Sequence, residues 1–554
     1  MTHVPTIPSE RLPTVLGAER VRHRVRPDRE RILSVAVIAV PCAIAAVLAF
    51  YDITARSLWL DEAASVAIAS QHGLALWHSM EHDGGNMLAY YAFLHGVLKI
   101  FGDGELVIRF ASAVATAGTV ALVSLLGRRL FDRRVAFGAG LLTAVSLTLV
   151  YWGQDARSYA LMATFITASF LAFVALVDRE PDAPGLRWAW FAYVLSTVLA
   201  AYMSFEALLV VPAQLVSLLW LGRPRRTVVS AFAVVIGCSL PLLVLAQRRG
   251  SGQLFWVPKP NLAQLHQMLE ALLSAGLQPN FHLSATASPL LLLTGVLVLA
   301  AAGAMVAPLV GAYRERRASL IPLPPAAFRD RRASWPQMLV LCWLVVPVAL
   351  GVLESYLVQP ITLPRAALIS LPAASLLLAW GAVGNHRVPY LVGWSTIAVV
   401  IALRALQLAP TYGASPENWR AASSYVLAAA RPGDCIAFYP ADGRQAFSYY
   451  IGAATPAAAR APRSVLPAVP WSVIKPFVED YASPSSSALS RIESACPRLW
   501  FVSSHRGQKN GPAASRSDYV RYEALLGSLT RGYARHRTVS YGWASPVRVE
   551  RFSR

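Results

Sequence analysis

The sequence predicts a polytopic α-helical membrane protein ending in a small α/β domain, and three observations predict it. Only 14% of the 554 residues are charged, and 55% are hydrophobic, whereas soluble domains are about a quarter charged. Apolar runs of the length that crosses a bilayer, about 17 to 25 residues, recur from position 32 to position 408. Beyond 409 the runs stop. Helix-like stretches at 418–430 and 519–529 then alternate with strand-like ones at 434–439 and 498–503.

The formal net charge of +20 would suit nucleic acid if the basic residues formed one soluble face with interleaved aromatics. They lie instead in short clusters between apolar segments, as positive-inside topology requires. The expected environment is the lipid bilayer of the cell membrane, with no nucleic-acid partner.

Residues 1–31, rich in Arg and Pro, have no apolar core and read as a disordered basic cytoplasmic tail, not a cleaved signal peptide. The transmembrane region, 32–408, holds eleven apolar runs, at 32–50, 106–127, 135–151, 157–177, 187–203, 205–221, 227–246, 288–312, 335–353, 364–383 and 388–408. The stretch 86–101 is short, contains His95 and Lys99, and ends in Gly102-Asp103-Gly104. If it does not cross, the basic clusters at 127–134, 179–187, 223–226, 314–332 and 386–387 all lie on the N-terminal, cytoplasmic side. If it crosses, all are exported, which short basic loops rarely are. Both 86–101 and the amphipathic 61–80 are therefore expected to lie at the surface or re-enter.

Four regions then face the extracytoplasmic side: the first loop (51–105), the link 151–159, the long loop 247–287, and 409–554. The last is long enough for a core of its own. Cys42, Cys238 and Cys342 fall within spans, as small apolar residues. Cys435 and Cys496 fall beside the expected exported strands, as a disulfide or as two buried thiols.

Most polar residues that need explaining gather on the exported side. Asp61 and Glu62 follow the first span, and adjacent carboxylates at a membrane surface cost free energy unless water, a cation or a substrate satisfies them. Asp61 also sits where it would cap a helix. His78 and His82 share a helical face beside Glu81 and Asp83, a spacing that holds a divalent metal if a third ligand, His266 or His282, joins them; the same spacing suits a plain interfacial helix. Gln154, Asp155, Arg157 and Tyr159 form a polar knot, and Asp155 and Arg157 are close enough to pair with each other. Tyr202 stands in a tight turn. Trp256 and Lys259 combine an aromatic with a cation, as a lid or as an interfacial anchor. Asn418-Trp419-Arg420 and Tyr449-Tyr450 suit either glycan binding or domain docking.

The ordered series "LWLDEAAS", "HDGGNMLAYYAFLHGVLKIFGDGELVIRFASA", "YWGQDARSYAL" and "ITLPRAALISLPA" resembles the GT-C superfold glycosyltransferases, in the branch of protein O-mannosyltransferases and lipid A aminoarabinose transferases. The resemblance covers about 32–383. It implies an inverting transferase that moves a sugar from a polyprenyl-phosphate donor to a glycan, glycolipid or protein acceptor on the exported face. By match to the family's Asp-Glu pair, Asp61 is the implied general base, and Glu62 orients it, binds the acceptor or helps hold a cation. Arg365, at the outer mouth of the tenth span, is the implied partner of the leaving phosphate, with Arg157 and Arg109 next. The chain reads Asn86-Met87-Leu88-Ala89-Tyr90-Tyr91 where relatives carry Pro-Pro-Leu-Tyr-Tyr, Asp155 where they often carry Glu, and Arg365-Ala366 where they carry Arg-Tyr. Sugar and acceptor therefore do not carry over. The rival readings are a transporter or flippase, against which stands the want of a repeat relating two halves of the span pattern, and a silent scaffold for the exported domain.

Overall fold

The computed structural model describes residues 16–180, 182–221, 226–249, 257–277, 284–318, 325–453, 461–476, 484–511 and 513–554. All eleven apolar runs are helical. Among the described residues, seven helices are long and apolar enough to cross a membrane, eight if the pair Arg133–Ala144 and Leu147–Gly153, bent by 57°, is counted as one span. The bend falls where Ser146 enters an apolar run: its Oγ accepts from Leu149 N and contacts Ser274 Oγ at 2.6 Å, which starts a new helix. The runs 205–221 and 364–383 also depart from single spans. Each begins with a 3-10 turn, Phe205–Leu209 or Pro364–Ile369, before its α-helix.

The first helix, Leu16–Phe50, begins inside the stretch expected to be a disordered tail. Once an apolar span has nucleated a helix, adding Arg- and Glu-rich residues costs little. In the first loop, 61–80 is two helices, Leu60–Ala69 and Gly73–His82, followed by Leu88–Phe101. At 14 residues and about 1.5 Å per residue, the third is too short to span a hydrocarbon core of about 30 Å.

Helix Glu105–Leu130 is central and packs against Leu16–Phe50, Arg133–Ala144 and Tyr159–Asp178. Lipid supplies no hydrophobic drive between helices, so close approach of small residues has to supply dispersion contacts. At Gly153 an added Cβ would stand 2.0 Å from Thr116 Oγ1. The link that follows is thereby held flush against the central helix.

The C-terminal region folds on a five-stranded sheet: β1 (Cys435–Tyr439), β2 (Arg463–Leu466), β3 (Arg498–Ser503), β4 (Ala534–Tyr541) and β5 (Val547–Ser553), in the order β2-β1-β3-β5-β4. The first three strands run parallel, and β5 and β4 add antiparallel pairs. Strand alternation gives the sheet two faces. Ile436, Phe438, Trp500, Val502 and Val549 join the core shared with the transmembrane helices, through Trp419–Ala429 and Gly443–Ala453. Cys435, Ala437, Leu499 and Phe501 pack on the other face with Ser486–Ala495 and Ala513–Gly532. Cys435 and Cys496 are joined as a disulfide on that second face.

Candidate functional site

The site is built on the first turn of helix Leu60–Ala69, where acidic residues complement the helix dipole. Successive helical residues point about 100° apart, so Asp61 and Glu62 part company at once.

Glu62 turns inward and is 1% exposed. Its carboxylate pairs bidentately with Arg109, Nε to Oε1 at 2.8 Å and Nη2 to Oε2 at 2.7 Å, and accepts from Ala156 N at 2.8 Å. The remaining Arg109 nitrogen donates to Ile53 O and Arg56 O. Asp155 lies alongside, accepting from Trp59 Nε1 at 2.8 Å. Burial, reinforced by the Glu62 carboxylate, pushes Asp155 well above its ordinary value. Burial would raise Glu62 too, but the Arg109 charge and the bonds from Arg109, Asp155 and Ala156 outweigh it and hold it low. The two buried carboxyls are thus pushed in opposite directions, Glu62 down and Asp155 up. Glu62 and Arg109, read from sequence as catalytic and phosphate-binding, pair bidentately with each other and are closed to solvent. Asp155 pairs with Trp59 and Glu62, not with Arg157.

Asp61 turns outward, with its side chain 34% exposed; Arg157 Nη2 stands 3.5 Å and Arg365 Nη1 3.6 Å from the same Oδ2. Both guanidinium groups lie over Tyr159, at 5.7 and 5.2 Å from the ring centroid. Arg157 also donates to Ser65 Oγ and Asp61 O. Asp83, buried, accepts from Tyr91 Oη at 3.0 Å. Burial pushes its carboxyl up to about 7, with the Arg157 charge opposing and Asp61 adding to the rise. Next to Arg365 in the chain, a small pocket is lined by Leu209, Met268, Val348 and Ile369, with Glu206, Thr362 and Ser370 as polar members.

Other expected site residues stand elsewhere. Gln154 donates to Ala49 O and Tyr51 O at 3.1 and 2.7 Å, closing the C-terminal end of the first helix. Tyr202 donates to Cys238 O and ties two helices. Lys259 is exposed, in the segment before Leu262–Leu272. Trp256 and His282 lie outside the described residues. His78 faces Glu81 at 3.7 Å, and burial with the Arg249 charge holds His82 below its ordinary value. His266 faces Glu270. Among the described residues no three His, Cys, Asp or Glu side chains converge as metal ligands.

Sequence reasoning left open the partners from the C-terminal region. Ser57 N donates to Ser415 Oγ, Leu58 N to Tyr450 Oη, and Leu60 N to Glu417 Oε2, at 2.9, 2.8 and 3.2 Å. Arg420 donates to Thr54 O, Ala55 O and Arg56 O and pairs with Glu105. Tyr449 donates to Asp103 O, and Tyr450 to Glu105 Oε1. Arg420, Tyr449 and Tyr450 thus dock the C-terminal region on the first loop, whereas Asn418 caps helix Trp419–Ala429 through Ala421 N and Trp419 donates to Glu417. Partners more than 340 residues apart leave no local signal.

Residues 86–247 match the sequence profile of dolichyl-phosphate-mannose-protein mannosyltransferases. The search of curated proteins gave no match. Among solved structures, the apo form of ArnT from Cupriavidus metallidurans superposes with a TM-score of 0.52 at 13% identity, over 93% of this chain and 98% of that one. The oligosaccharyltransferase AglB from Archaeoglobus fulgidus, in complex with an inhibitory peptide and a dolichol-phosphate, gives 0.51 at 12% identity, over 93% and 73%. These likenesses show the fold, which is GT-C. The chain has the fold of the GT-C glycosyltransferases, and its residues 86–247 are similar to the protein mannosyltransferase profile.

Proposed function

We propose that the chain moves a sugar from a polyprenyl-phosphate donor to a hydroxyl-bearing acceptor on the extracytoplasmic face, with inversion, and that Asp61 is the general base. The observation that carries this reading is the half-open Asp61 carboxylate set between Arg157 and Arg365 at 3.5 and 3.6 Å. Those separations exceed direct charge-assisted hydrogen bonds of about 2.8 Å. A donor phosphate offers the same guanidinium groups a doubly bonded partner, and its arrival would free Asp61 toward the acceptor. The acceptor hydroxyl gives its proton to Asp61 as its oxygen bonds to the anomeric carbon. The bond from that carbon to the phosphate oxygen breaks with its electron pair, and polyprenyl phosphate leaves against Arg365 and Arg157.

The family description names a dolichyl-phosphate sugar, and AglB carries a dolichol-phosphate in its complex; both support this class of donor. Asp83, whose carboxyl burial raises to about 7, would hydrogen-bond a sugar or acceptor hydroxyl in this reading. Glu62, Arg109 and Asp155 form the base on which this arrangement stands.

The test is release of polyprenyl phosphate from a synthetic polyprenyl-phosphate mannose, by purified chain supplied with source-cell envelope as acceptor. Asp61→Asn should abolish release while the protein still elutes as a folded species. Full release by that variant would end the base assignment. Labelling of cysteines placed at 103 and at 132 should report opposite faces of the membrane, and labelling from one face would remove the exported placement of the site.

A further inference from the structure

The first helical N–H groups have no partner inside their own helix, and here the N-cap position holds Trp59, which offers no side-chain acceptor. Trp59 N is taken up by Glu62 Oε2 at 3.4 Å. Leu60 N, one residue before Asp61, ends on Glu417 of the C-terminal region. Glu417 is 2% exposed, and its oxygens divide the work. Oε2 accepts both Leu60 N at 3.2 Å and Trp419 Nε1 at 2.8 Å, and Oε1 faces His505 Nε2 at 3.2 Å. A buried carboxylate is costly unless its lone pairs are used, and one use of this one reaches 357 residues back along the chain.

We propose that Glu417 is a positioning residue for the transfer reaction: by holding Leu60 N it fixes the first turn of helix Leu60–Ala69 and with it the Asp61 carboxylate against Arg157 and Arg365. Ser415 and Tyr450 hold Ser57 N and Leu58 N in the same way, so three of four consecutive amides ahead of Asp61 rest on the C-terminal region. The sheet domain thereby completes the active site without touching substrate. The proposal rests on Asp61 acting as the base.

The division between the two oxygens supplies the test. Glu417→Gln can place its carbonyl where Oε2 stands and keep both N–H donors, while losing the charge that faces His505. Glu417→Asp keeps that charge but draws the acceptor back by one methylene. Turnover of polyprenyl-phosphate mannose, measured per folded full-length molecule, should fall about a hundred-fold in kcat for Glu417→Asp, as misplacement by about 1 Å does. KM for the donor should stay within about two-fold, and Glu417→Gln should retain kcat within about a few-fold. The reverse order, Asp active and Gln inactive, would assign Glu417 to the His505 ion pair and overturn the proposal, as would native turnover in both variants. Activity in Asp61→Asn would instead strike the base assignment, leaving the order of the two Glu417 variants to be read separately.

Discussion

Two groups of charges, separated by one residue in the chain, behave oppositely. The inner group, Glu62 with Arg109 and Asp155, is closed to solvent, bidentate and hydrogen-bonded at nearly every position. The outer group, Asp61 with Arg157 and Arg365, is partly open and loosely spaced. Buried ion pairs with full coordination fix geometry, since breaking one strands the other charge. Loose pairs at an opening can exchange partners, which is what a leaving phosphate requires. The difference teaches that residue type alone does not assign a role here; the direction of one Cβ does.

The comparison can be broken most directly at Asp61. Asp61→Asn should lower turnover of polyprenyl-phosphate mannose by about a thousand-fold, within the usual range for loss of a general base, and leave thermal stability near the native value. Arg365→Ala should cost about a hundred-fold, as loss of one electrostatic stabiliser does. Arg365→Lys should recover only part of that, because a point charge does not reproduce the bidentate fork. The inner group should respond in stability. Glu62→Gln leaves the Arg109 charge buried without its counter-ion and should destabilise the fold by about 3 to 5 kcal/mol, seen as a lower unfolding midpoint and a lower folded yield. If Glu62→Gln folds normally but loses turnover, the division between the groups collapses.

Asp83 gives the smallest effect and sharpens the picture through pH. In the folded chain it keeps its proton up to about pH 7, against an ordinary value of 3.8. Between those values the folded state binds more protons than the unfolded one. The stabilisation this group contributes is therefore fullest in acid and is lost as pH rises toward 7. Asp83→Asn should flatten that decline in unfolding temperature between about pH 4 and pH 7. An unchanged slope would place the buried proton elsewhere.

Much of the transmembrane architecture was legible because its signal is local: apolar runs of fixed length, punctuated by arginines. The bend at Ser146 was not, since one serine in an apolar run reads as tolerated until its hydroxyl is seen to cap Leu149. Asp61, Arg157 and Arg365 were legible as a set through ordered motifs. Glu62 was not separable from Asp61, because neighbours on a helix differ only in which side the bundle buries. Arg109 read as free for phosphate, yet its guanidinium is taken up by Glu62 and two carbonyls contributed by the same loop. The partners of Leu58 and Leu60 lie 392 and 357 residues away. No periodicity or spacing reports a pairing of that length.

The hold of the C-terminal region on Ser57, Leu58 and Leu60 also sets an order in time. A chain made from its N-terminus emits the segment bearing Asp61 early, and the side chains that receive its amides arrive some 350 residues later. Until the sheet has formed and docked, those amides are left to water and the helix start is free to fray. If Asp61 is the base proposed above, catalytic competence is then one of the last properties the nascent protein acquires, and a chain cut short before its sheet would lack the contacts that hold the segment bearing Asp61.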